Sequence, residues 1–356
     1  MSVRPSVKVP RHTRTPQSNR KRIDMKAAVF SKFGDPAEVL EVREVPTPEP
    51  GPGEVRVRMI ASPINPSDTM FVEGRYGVRP TPPAVPGFEG VGVVDKAGPG
   101  LMGRFVVGKR VVAINNKGGN WAEYAVIPWK QARPVAADIP DDQAATFFVN
   151  PMTAVALTRH VLAVPKGEWL LISAAGSTLG KMIVRLGRRD GFKTLCVVRR
   201  SEAKQELIDL GADAVVSSSE GPVPEQVRRI TGGDGPRYAL DPIGGEAGTA
   251  VFRSLGKGGR LVVYGSLTDE PIAVDPRSLI TSRTSVEGFW LGYWMAERSI
   301  PKALMLFREV ATLIREGVLS ADVGKSYPLE RVGEAAREAA AVGRGGKVLL
   351  KIGAGG

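Results

Sequence analysis

The plainest chemistry in this 356-residue chain lies in Ala174-Ala175-Gly176-Ser177-Thr178-Leu179-Gly180. These residues follow the apolar run Trp169–Ser173 and precede an amphipathic stretch, Lys181–Arg189, so the spacing predicts strand, tight turn and helix. Small residues let the backbone approach a ligand closely, and a helix N-terminus turns its N–H groups toward a pyrophosphate. Thr178 stands where a dinucleotide turn usually has another glycine, but the strand–turn–helix context is the one the motif requires. About 20 residues past such a turn, a ribose 2′-hydroxyl calls for Asp or Glu and a 2′-phosphate calls for cations. Here stand Arg199-Arg200-Ser201, with Lys204 one helical turn on. Guanidinium groups hold phosphate oxygens through charge-assisted, often bidentate bonds. Gly176, Ser177, Thr178, Leu179 and Gly180 are thus expected at the pyrophosphate and Arg199 at the 2′-phosphate. Arg200 and Lys204 are either further phosphate ligands or solvated surface charges. The expected cofactor is NADPH.

Other chemistries are excluded by residue counts. His12 and His160 are the only histidines and Cys196 the only cysteine, which removes an intrachain disulfide, a cysteine-based zinc cluster and a histidine-centred triad. Cys196 falls in an apolar strand and is expected to be inert. Asp241-Pro242-Ile243-Gly244-Gly245 and Tyr264-Gly265-Ser266 follow two apolar strands, at the edge where open α/β sheets bind ligands. Asp241 reads equally as a helix N-cap.

Two rhythms position these residues. From Met25 to about Phe148 the chain alternates short β-rich runs, Lys26–Phe30, Glu54–Ala61, Val91–Lys96, Arg110–Ile114 and Asn120–Val126, with Pro- and Gly-rich turns. This predicts a β-barrel-like domain. After Asn150, helices alternate with apolar strands, as in a doubly wound parallel sheet. Helices are expected over Thr153–Val164, Lys181–Arg189, Glu202–Leu210, Ala247–Leu255, Ile300–Glu316 and Val332–Ala341. Strands are expected over Trp169–Ser173, Thr194–Val198, Ala214–Val216, Tyr238–Asp241, Leu261–Tyr264, Ser285–Leu291 and Lys347–Lys351. The division expected is a tail at 1–24, a catalytic domain at 25–148, a cofactor domain at 149–318 and a C-terminal segment, 319–356, returning to the first domain.

The formal charge is +12, and residues 1–24 carry half of it. That segment is polar, proline-interrupted and without apolar periodicity, so it reads as a disordered basic tail. It is dispensable, a transit peptide, or upstream of a natural beginning at Met25-Lys26-Ala27-Ala28-Val29. A nucleic-acid-binding arm is not expected, because no aromatics interleave the basic residues. No apolar run approaches the roughly 20 residues of a membrane span, and a cytoplasm-like compartment fits the single cysteine, or the mitochondrion if the tail is a transit peptide.

From Met25 onward the chain resembles the zinc-free medium-chain dehydrogenase/reductases, which include quinone oxidoreductases, and within them the mitochondrial-type 2-enoyl thioester reductases. Three segments carry the resemblance: Asn65-Pro66-Ser67-Asp68 with Gly74-Arg75-Tyr76-Gly77, Gly119-Asn120-Trp121-Ala122-Glu123-Tyr124, and Gly288-Phe289-Trp290-Leu291-Gly292-Tyr293-Trp294. Zinc members of the superfamily place Cys, His and Cys where this chain has Asn65, Phe88 and Asn150, and those side chains cannot form a zinc tetrahedron. No metal is therefore expected. The resemblance implies a GroES-like catalytic domain, a Rossmann domain and a homodimer. It implies cofactor contacts from Asn65, Asn150, Thr153, Tyr264, Gly265, Phe289, Trp290, Leu291 and Lys347. Phe289 and Trp290 read equally as core or interface aromatics. Asp68 and Glu89 are expected to serve structure, bonding turns or nearby cations.

It also implies that Tyr76 donates a hydrogen bond or proton while hydride reaches the β-carbon of an enoyl thioester, carried on CoA or a carrier protein. A phenol with an ordinary pKa of about 10 can donate at neutral pH. The alternative substrates are quinones and α,β-unsaturated ketones on the same fold. A cofactor fold turned nucleic-acid-binding or structural module is the reading from another class, and the phosphate turn and arginine pair argue against it.

Overall fold

The computed structural model describes residues 24–341, 343 and 345–353. The expected disordered tail lies, but for Asp24, outside them. Six parallel strands form one sheet in the spatial order Ala214–Ser217, Lys193–Val198, Trp169–Ile172, Tyr238–Asp241, Arg260–Val263, Ser285–Gly288. In chain order this is 3-2-1-4-5-6, so the direction of winding reverses beside Trp169–Ile172, and a crevice opens at the carboxyl ends there. The inner strands bury residues on both faces, as continuous apolar runs covered by helices must.

The second sheet is antiparallel apart from one parallel pair. Its centre is Glu54–Pro63, whose alternating Val55, Val57, Met59 and Ala61 are buried while residues between them are less so. This long strand pairs Glu89–Ala97 along one edge. Along the other it pairs Tyr124–Pro128 with its first half and Lys347–Lys351 with its last residues. Register shifts between Arg56 and Val57 and between Met59 and Ala61 bend it enough to serve all three. The C-terminal strands Val323–Pro328 and Lys347–Lys351 therefore belong to the barrel-like sheet.

Three of the expected elements differ most. The strand foreseen over Asn120–Val126 runs Tyr124–Pro128. Trp121 is instead fully buried over Gly87, whose φ of +104° suits glycine, and its indole N–H donates to the Pro63 carbonyl at 3.3 Å. The helix foreseen over Thr153–Val164 starts earlier, at Val149, and passes into a π-helical turn over Ala156–Val161. There the Thr158 hydroxyl donates to the Ala154 carbonyl at 2.7 Å, competing with the backbone ladder. The strand foreseen over Ser285–Leu291 stops at Gly288. Phe289 N–H makes a last bond to Val263, its neighbour strand ends, and the chain turns into the helix Leu291–Ala296.

Candidate active site

The helix foreseen over Lys181–Arg189 runs Thr178–Asp190, starting three residues earlier, inside the expected turn. Ser177 caps it by accepting from Gly180 N–H at 3.1 Å, and Gly191 ends it at φ +85°. Gly180 has no room for a side chain, because a Cβ would collide with the Ala175 backbone. Gly176 is the reverse: a Cβ there would meet nothing, which leaves open space beside the helix start.

A cavity of about 550 Å³ opens between the two sheets. The cofactor-type fold contributes Ser177, Thr178, Leu179, Tyr264, Gly265, Phe289, Trp290 and Leu291 to its wall. The helix Val149–Val155 brings Asn150 and Thr153, and the barrel side brings Asn65, Tyr76 and Lys347. Neither Asn150 nor Thr153 uses its side chain in a hydrogen bond among the described residues, so both polar ends remain available to a ligand. Gly176, Gly180, Arg199, Arg200 and Lys204 lie off this wall. Arg199 and Arg200 are exposed past the end of Lys193–Val198, neither with an ion-pair partner among the described residues, and Arg200 lies against Gly343. Lys204 is ion-paired with Glu220, which also accepts from Ser201 at 2.7 Å. A dinucleotide fits this arrangement, with space at Gly176, a helix start at the wall and those two guanidinium groups farther along the sheet edge.

Tyr76 follows the helix Pro66–Glu73 and its left-handed Gly74. Its ring packs on Phe88 at 5.2 Å and edge-on to Trp290 at 5.7 Å. The Trp290 indole N–H donates to the phenol oxygen at 3.2 Å. An indole can only donate, so the phenol's own hydrogen remains for another acceptor. Burial pushes the Tyr76 pKa above its ordinary value, the Trp290 bond opposes that, and nearby Asp68 adds to it, so the phenol is neutral at neutral pH. Gly77 makes the contact with Trp290 feasible: a Cβ there would stand 2.5 Å from the indole ring. Arg75 also reaches across the cleft, donating to the Ser266 carbonyl and lying 3.3 Å from Asp269.

From the cavity wall inward runs a chain of buried polar groups. Lys347 Nζ donates to Asn65 Oδ1 at 2.7 Å, and Asn65 Nδ2 donates to Glu89 Oε1 at 2.8 Å. Glu89 Oε2 accepts from Phe148 and Val149 N–H, each at 2.9 Å. Asp68 accepts from the backbone N–H of Asn65 and of Phe88. Burial raises the pKa of both carboxyls, Asp68 to about 7. Asp241 is buried too; it accepts from Ser173 and from the N–H groups of Ile243 and Gly244, while Gly244 takes the N-cap position. Cys196 is buried and its thiol is pushed up to about 12.

The residues missed by sequence reasoning are mostly apolar: Met70, Val78, Ile114, Phe148, Leu267, Tyr293 and Ala296 line the cavity together with Asn116. Their one available signal was position just beyond strand ends or beside the named motifs.

Comparison with known proteins agrees with this architecture. An alcohol dehydrogenase GroES-like domain matches residues 51–140, and a zinc-binding dehydrogenase domain matches residues 178–309. The chain belongs to the medium-chain dehydrogenase/reductase superfamily and is a zinc-independent, NADPH-dependent oxidoreductase. Among its relatives is the mitochondrial enoyl-[acyl-carrier-protein] reductase of Xenopus tropicalis, 35% identical over 85% of this chain and 88% of that one. The human enzyme of the same name is 33% identical over 86% of this chain and 83% of its own. Among solved structures, Escherichia coli quinone oxidoreductase complexed with NADPH superposes with a TM-score of 0.85 at 26% identity, covering 92% of this chain and 99% of that one. A 2-haloacrylate reductase superposes with a TM-score of 0.80 at 26% identity, covering 92% and 100%.

Proposed function

We propose that this enzyme reduces the carbon–carbon double bond of a trans-2-enoyl thioester, on CoA or a carrier protein, with Tyr76 as the hydrogen-bond or proton donor. In this reading residues 25–148 and 319–356 form the catalytic domain and 149–318 hold the cofactor. One observation carries it: the Tyr76 oxygen already accepts from Trp290, so its hydrogen is free for an oxygen atom in an apolar cavity.

NADPH supplies the hydride, which goes to the β-carbon. Asn150 and Thr153 would orient the reacting ring, Ser177–Leu179 would hold the pyrophosphate, and Arg199 would take the 2′-phosphate. Negative charge then gathers on the thioester carbonyl, where a preorganised donor does most good. Tyr76 meets that charge, and a proton, given by the Tyr76 phenol and restored to it from solvent or taken directly from solvent, completes the α-carbon. Trp290 keeps a donor on the phenol oxygen as its proton moves. The cavity's largely apolar wall accommodates an acyl chain.

A quinone is the second reading, favoured by the superposition on Escherichia coli quinone oxidoreductase. NADPH oxidation followed side by side with crotonyl-CoA, a longer enoyl-CoA and a quinone decides between them. Thioester turnover well above quinone turnover is expected; strong quinone turnover with none on thioesters would overturn the proposal.

A further inference from the structure

Glu89 is the first residue of the strand Glu89–Ala97, and its backbone is fixed by pairing with Ile114 and by a hydrogen bond from the Ser62 hydroxyl at 2.5 Å. Its carboxylate is almost wholly buried, with only 1% of the residue exposed. One oxygen takes the N–H groups of Phe148 and Val149, at the start of the helix that carries Asn150 and Thr153. Those two donors stand at the open end of the helix and have no carbonyl four residues behind them to bond. The other oxygen takes the amide of Asn65, whose carbonyl oxygen takes the buried Lys347 ammonium. One carboxylate therefore joins the barrel wall, the C-terminal strand and the helix that crosses between the two sheets. Tyr76 stands on the barrel side of that junction, and Asn150 and Thr153 stand on the other.

We propose that Glu89 is a positioning residue: by tying the first turn of the Val149–Val155 helix to the barrel, it fixes Asn150 and Thr153 relative to Tyr76 and so sets the approach of hydride donor to acceptor. This rests on reading the cavity as the site of hydride transfer. Hydride transfer falls steeply with misplacement, and a shift of about 1 Å can cost about a hundredfold. Glu89 does not line the cavity; its effect passes through the helix.

The hydrogen-bond pattern specifies its own test. In Glu89→Gln, the amide oxygen can still face Phe148 and Val149, but the amide NH₂ then meets the Asn65 NH₂, donor against donor. Turning Asn65 over only moves the conflict to Lys347, which is also a donor. The double variant Glu89→Gln with Asn65→Asp removes the conflict. Its new amide at position 89 accepts from the helix and donates to the new carboxylate at position 65, which in turn accepts from Lys347. The full-length enzyme with NADPH is assayed on both an enoyl thioester and a quinone. Glu89→Gln is expected to lower kcat at least tenfold on whichever acceptor wild type turns over, with NADPH affinity within a few-fold. The primary deuterium isotope effect on kcat, measured with 4-deuterated NADPH, should rise. The double variant, altered at a cavity-lining position, is read by its fold and its chemical step: it should regain the melting temperature lost in Glu89→Gln and the isotope effect of wild type. Wild-type kcat and isotope effect in Glu89→Gln overturn the inference, as does a double variant that regains neither. A wild type that turns over only quinones overturns the thioester reading and still reads out Glu89.

Discussion

Tyr76 is held between Phe88 and Trp290 with its own hydrogen uncommitted, a placement that a packing role alone does not need. Tyr76→Phe keeps the ring and deletes the donor. We expect kcat to fall by about a hundredfold or more, the size usual for a lost acid or oxyanion donor, with NADPH affinity nearly unchanged. Turnover near wild type in a steady-state assay would remove Tyr76 from the mechanism. Asp68 makes a prediction of a different kind. Burial raises its pKa from 3.8 to about 7, so between those values the folded protein holds a proton that the unfolded chain has released. Stability attributable to Asp68 is therefore greatest at the acid end of that window and declines as pH rises to about 7, then levels off. Glu89 shifts in the same direction. Melting temperatures of wild type and Asp68→Asn across roughly pH 4 to 8 should show wild type losing ground relative to the variant up to neutrality; a parallel pair of curves would contradict this. At this scale the motif residues were legible because each repeats a local pattern. The Lys347–Asn65 bond was not, since it joins positions 282 residues apart and no periodicity encodes such a contact.

Among the elements, the strand–turn–helix at Trp169–Asp190 was legible in kind and order, but its helix starts three residues earlier than expected because Ser177 caps it from within the turn. Gly180→Ala should show how tightly that helix is packed. The added methyl group would press on the Ala175 backbone, and overpacking of this sort costs about 1–3 kcal/mol. A lower melting temperature together with weaker NADPH binding is expected, and an unchanged protein would mean the helix can slide freely. At the end of the next strand, Arg199→Ala should raise the KM for NADPH at least tenfold and leave that for NADH little altered. Equal use of both cofactors by wild type would defeat the assignment. The turn at Phe289 and Trp290 escaped sequence reading for a physical reason: the apolar, aromatic composition of Ser285–Leu291 favours a strand, but a strand needs a neighbour, and Arg260–Val263 ends first.

In the whole molecule, the Ser285–Gly288 strand is one edge of the parallel sheet and carries an exposed Val286, with Ile280 76% exposed just before it. Open apolar edges are rarely left uncovered. The homodimer expected for this superfamily would pair this edge with its twin, and Val286→Lys should shift the mass measured by light scattering from dimer toward monomer. A wild type that is monomeric at assay concentrations would dismiss that pairing. The barrel has a different dependence. Lys347–Lys351 must find Glu54–Pro63, whereas the strands of the parallel sheet all lie between residues 169 and 288. During synthesis on the ribosome, the cofactor-binding sheet can assemble while the barrel still lacks its closing strand. Lys347 arrives with that strand, so the polar floor beneath Tyr76 is among the last parts of the protein to form. A nascent chain released early would keep a nucleotide-binding half without the chemistry it serves.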